Sequence, residues 1–83
     1  MGLSNEDLKR VLEILDSEFP KCISKQELQE KIEKKTGIKT GEAELIYLED
    51  KNLIRKHETK EGTFFRISAF GIDVLRTGES IIP

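Results

Sequence analysis

Residues 24–75, SKQELQEKIEKKTGIKTGEAELIYLEDKNLIRKHETKEGTFFRISAFGIDVL, decide the fold. They open on a capping box, Ser24 with Glu27, flanked by Ile23 and Leu28 at the hydrophobic-staple positions. The helix started there presents Leu28 and Ile32 on a narrow apolar face. It stops at Gly37, a left-handed C′ residue, with Ile38 folding back toward Ile32. Lys34 and Lys35 in its last turn suit the negative end of the helix dipole. The next helix is predicted from about Thr40 to Lys51. Thr40 is its N-cap, Leu45 and Leu48 point inward, and Asn52 is the left-handed stop. So short a connection forces two helices to cross steeply, as in a helix-turn-helix.

Two strand-like runs follow, Leu53 to His57 and Thr63 to Ser68, joined by Glu58-Thr59-Lys60-Glu61-Gly62 as a hairpin. Period-two alternation puts Phe65 and Ile67 on one face, Phe64 and Arg66 on the other. Ser68 then caps a short helix carrying Phe70, Ile72 and Leu75. Upstream, Ser4 or Asn5 to Glu18 reads as a first helix whose apolar stripe is Leu8, Val11, Leu12, Leu15 and Phe19, ended by Pro20. Thr77 to Pro83 is a tail that either frays or docks through Ile81 and Ile82. The expected architecture is α+β, mostly α, with a three-helix core, a two-stranded β-hairpin and a short C-terminal helix. It forms one domain over 1–83, with an ordered core of about 4–76 and a flexible tail of about 77–83.

Composition narrows the function classes. Hydrophobic and charged residues each make up 36% of the 83, enough for one modest core under a heavily solvated surface. The net charge of −2 counts against strong non-specific affinity for nucleic acid while leaving room for a local basic stripe. The lone Cys22 forms no internal disulfide. No apolar run approaches a membrane span and Met1–Asp7 has no secretion-signal pattern, so the expected location is cytoplasmic. His57, the only histidine, has no second Cys or His at metal-ligand spacing and reads as a solvated strand residue. Cys22 reads as a buried or half-exposed structural cysteine rather than half of a thiol–imidazole pair with His57. No carboxylate dyad or glycine-rich phosphate loop is present. The expectation is no cofactor, no metal and no enzymatic activity.

The pattern L-x-x-L-x-x-x-N-L-I, Leu45, Leu48, Asn52, Leu53 and Ile54, resembles the end of the recognition helix in winged-helix repressors of the MarR, ArsR and PadR type, which often have glycine at the Asn52 position. Ile67, Ser68, Gly71 and Leu75 are similar to the I-T-x-x-G-x-x-x-L that follows the wing in those families, with serine for threonine. The likeness spans about two-thirds of the chain. It implies a winged helix that binds double-stranded DNA as a transcriptional regulator, with helix 40–51 in the major groove and wing 53–68 on the backbone. On that reading Lys39 and Thr40 reach phosphates, Ala43 allows close approach, and Tyr47 stacks or donates. Arg55, Lys56, Lys60 and Arg66 anchor the backbone, and Lys25, Lys34 and Lys35 extend the basic surface. A homodimer is expected, joined through the first helix, the last helix and Ile81–Ile82.

Charge divides unevenly between the two contact elements. From Lys39 to Lys51, two lysines face Glu42, Glu44, Glu49 and Asp50, a net of −2. From Leu53 to Ser68, four cations face Glu58 and Glu61, a net of +2. An acidic helix carrying an outward apolar pair, Ile46 and Tyr47 beside Glu42, also suits a protein partner, since interface centres favour aromatic and apolar groups. Both uses of that helix stay open at this level.

Overall fold

The computed structural model describes residues 3–83. The chain is α+β and mostly helical, four helices and a three-stranded antiparallel sheet among the described residues. Helix α1 spans Asn5–Glu18, with the Ser4 side chain accepting the Asp7 N–H. Its buried stripe is Leu8, Val11, Leu12, Ile14 and Leu15. Phe19, expected on that stripe, is 44% exposed, because it lies past the last helical turn with ψ at 137°. Ile14 takes up the interior in its place.

Strand β1, Ile23–Ser24, leads directly into helix α2, Lys25–Thr36. Ser24 Oγ accepts the Glu27 N–H and Gly37 ends the helix at φ 80°, both as the local motifs require. Helix α3 is shorter than expected, Glu42–Asp50. Thr40 is not its N-cap: Thr40 and Gly41 are both left-handed, at φ 56° and 65°, and Gly41 holds the cap position. A Cβ at Gly41 would stand 3.0 Å from Ile32 Cδ1, so the chain turns tightly over α2 before the helix can begin. The C-terminus of α3 is a Schellman arrangement. Leu53 N–H bonds Leu48 O, Asn52 N–H bonds Glu49 O, each at 2.9 Å, and Asn52 is left-handed at φ 64°.

Strands β2, Ile54–Thr59, and β3, Gly62–Ile67, form a hairpin whose ladder runs from Ile54↔Ile67 to Thr59↔Gly62. The loop is therefore Lys60-Glu61, two residues rather than the five expected. Thr59 Oγ1 accepts the Glu61 N–H at 3.1 Å and donates to Gly62 O at 3.2 Å, which closes the turn early. The two-stranded sheet expected gains a third strand, because Ile23 pairs with Phe65 and Ser24 with Phe64 on the free edge of β3. β3 is thus central and packs on α1 and α2.

Helix α4, Ala69–Thr77, is capped by Ser68 Oγ on the Gly71 N–H. Its interior face is Gly71 and Val74, with Ile72 and Leu75 only half-buried and Phe70 54% exposed. Gly71 sits against Leu53 and fixes that rotation. The core joins Leu8, Leu12, Leu15, Leu28, Ile32, Leu45, Leu48, Phe65 and Ile67, all at 3% exposure or less. Of the two courses open to the tail, it docks. Ile81 is buried, and Asn5 Oδ1 accepts the N–H groups of Ile81 and Ile82 at 2.8 Å each. No helix of the described residues is long and apolar enough to cross a membrane.

Candidate nucleic-acid interface

Helix α3 turns Leu45 and Leu48 inward, so its solvent row is Glu42, Ala43, Ile46 and Asp50, with Glu49 half-buried at its edge. That row holds no cation. Tyr47, expected outward, is half-buried against the core, and Lys51 Nζ stands 5.5 Å from its ring centroid. Lys39, Thr40 and Ala43 are exposed at the start of the helix. Two of the helix carboxylates are already paired: Glu42 with Lys25 at 2.7 Å, Glu49 with Lys56 at 3.6 Å.

The hairpin sorts its charges by face. Directly opposed residues of an antiparallel ladder point to the same side. Lys56 pairs with Phe65 and Glu58 with Thr63, so these four share the side that packs toward the helices. Arg55 pairs with Arg66 and His57 with Phe64, on the outer side. The predicted backbone anchors therefore do not share one face. Lys56 is held between Glu49 and Glu58 in an open cleft of about 210 Å³ that Lys25, Glu42 and Ile46 also line. Lys60 stands at the exposed tip. Arg55 and Arg66 face away from α3, and neither forms an ion pair among the described residues.

Like charges placed directly opposite each other in a ladder repel. Arg66 is half-buried, and its Nη1 donates to Ile67 O at 3.0 Å, which holds the guanidinium beside the end of β3. Neither His57 nor Phe64 stands among the DNA contacts expected from sequence, yet the register brings both beside the arginine pair. Phe64 is half-buried and stands outside the apolar side chains that pack against the core, among them Leu3, Ile38, Tyr47, Ile72, Leu75 and Ile82. The alternation of residues 55–57 and 64–66 carries this signal once the two-residue loop is known.

Ile46 is 57% exposed, the only large apolar side chain in the solvent row of α3. Cys22 is exposed, not buried or half-exposed, because it lies just before β1 where the chain crosses the surface. The homodimer surface expected from sequence loses Ile81, which is buried within its own chain. No family model, curated protein or solved structure matches this chain.

Proposed function

We propose that this chain is a winged-helix DNA-binding domain, acting as a transcriptional regulator, whose hairpin rather than its third helix makes the principal phosphate contacts. The observation that carries the reading is the Arg55–Arg66 pair, two arginines opposed on one face with no acidic partner among the described residues. An anion between them relieves the repulsion, and arginine matches phosphate with two parallel donors. The order α1, β1, α2, α3, β2, β3, α4 with strands arranged β1-β3-β2 supports the winged-helix assignment. Lys60 at the hairpin tip and Lys39 and Thr40 before α3 extend the contact, and Ala43 leaves room for a groove wall. Lys56 contributes less, since it already neutralises Glu49 and Glu58.

The test is fluorescence polarisation with a labelled duplex of mixed sequence at low salt. Binding that weakens steeply with salt, and is lost in Arg55→Ala with Arg66→Ala, is the expected result. No duplex binding at low salt ends the reading.

The exposure of Ile46 in a row without cations favours a second use, docking of a protein partner on α3 with Glu42 at the rim. A pull-down whose partner is lost in Ile46→Ala, with duplex affinity unchanged, would select it.

A further inference from the structure

We infer that the outer face of the sheet takes up unpaired bases of single-stranded nucleic acid, with Phe64 as the stacking surface and Arg55 and Arg66 as the phosphate clamp. This rests on the hairpin being a nucleic-acid contact and adds the form of nucleic acid that it receives.

Phe64 lies on the central strand, between His57 of β2 and Ser24 of β1. It is half exposed, outside the set of apolar side chains that pack on the core. Two residues along the same face stands Arg66, its Cα roughly 6.8 Å from that of Phe64 at the rise of an antiparallel strand. A base on the ring and its own phosphate at the guanidinium fit that separation.

Charge complementarity selects the occupant. The outward hairpin positions are Arg55, His57, Thr59, Gly62, Phe64 and Arg66, and none is acidic. The ladder's only carboxylate, Glu58, lies on the opposite side against Lys56, and Glu61 at the tip meets Thr59 Oγ1 at 3.3 Å. A polyanion meets cations and an aromatic along Arg55, His57, Phe64 and Arg66, and the Glu61 carboxylate stands only at the tip end, beside Thr59. A duplex keeps its base faces stacked inside and offers this surface only its backbone. An unpaired strand offers both the phosphate and the ring that the face is built to receive.

The chain has no tryptophan, so Phe64→Trp places a single indole on this face. Its fluorescence, titrated with oligothymidylate and with a duplex of equal charge, is the first readout. Quenching by the single strand and not by the duplex is expected. The second readout is Phe64→Leu, which keeps an apolar side chain and removes the ring. It should weaken single-strand binding by about 5- to 100-fold and leave duplex affinity within about twofold. An unchanged single-strand affinity, or equal losses for both nucleic acids, overturns the stacking inference while the hairpin reading stands. Wild-type protein that binds neither form overturns both.

Discussion

The carbonyl oxygen of Leu53 lies so close to the Cα of Gly71 that a Cβ there would overlap both it and the Ile67 side chain. The same oxygen accepts the Ser68 N–H at 3.0 Å. Ser68 Oγ donates to Asn52 O at 2.7 Å and accepts the Gly71 N–H at 3.0 Å. The end of α3, the start of the hairpin and the start of α4 are thus one hydrogen-bonded joint. The joint gives the S-x-x-G spacing its physical meaning: the hydroxyl bridges two elements, and the missing side chain lets them touch.

Gly71→Ala should destabilise the protein although alanine is the better helix former by about 1 kcal/mol. Overlap with backbone and Ile67 costs about 1–3 kcal/mol, and displacing Leu53 O also weakens its bond from Ser68. A lowered urea midpoint is the expected outcome. A raised midpoint would mean that the hairpin shifts freely.

Asn5→Ala should release the tail. The Asn5 carboxamide oxygen is the shared acceptor of the Ile81 and Ile82 N–H groups, and a hydrogen bond of this kind contributes about 1 kcal/mol. Amide exchange at Ile81 and Ile82 should accelerate while the amides of Leu45 and Leu48 keep their protection. Uniform acceleration would indicate global unfolding instead.

Adjacent residues of α3 should respond oppositely to truncation. Leu45 is 3% exposed, so Leu45→Ala should cost about 2–5 kcal/mol. Ile46 is 57% exposed, and Ile46→Ala should change stability by no more than about 0.5 kcal/mol. Thermal or urea unfolding of both variants checks the rotation of the helix.

Salt dependence should separate the two faces of the hairpin. Arg66→Ala should lower the slope of log affinity against log salt by about one. Lys56→Ala should lower it less, because Lys56 stands 3.6 Å from Glu49 and 3.9 Å from Glu58. Equal effects would show that the face sorting does not govern phosphate contact.

Local chemistry is legible in the sequence. Ser24 with Glu27, Gly37, Asn52 and Ser68 each mark a helix end through bonds made within a few residues, and each does so in the fold. Thr40 was misread because a hydroxyl before a helix resembles a cap, whereas Gly41 is pressed against Ile32 and has to take that place. The exposure of Phe70 has a related cause. Periodicity counts apolar residues, but the close approach of Leu53 to Gly71 sets which side of α4 faces in. At the candidate site, alternation alone puts Arg66 on one face with Phe64, but the pairing of that face with Arg55 and His57 is not legible in the sequence. Strand register depends on the loop, and Thr59 shortened it by bonds to Glu61 and Gly62.

From the residues alone came the helix ends other than the start of α3, most of the apolar stripes and the alternation of the hairpin, because these depend on hydrogen bonds and spacings within a turn or two of chain. Tertiary contact decided the rest. The edge pairing of Ile23–Ser24 with Phe64–Phe65 joins positions about forty residues apart, and the register of β2 on β3 divides Lys56 from Arg55 and Arg66. A side chain's face is a property of what its strand or helix packs against. Which cations stay free for a ligand was therefore settled only when the elements met.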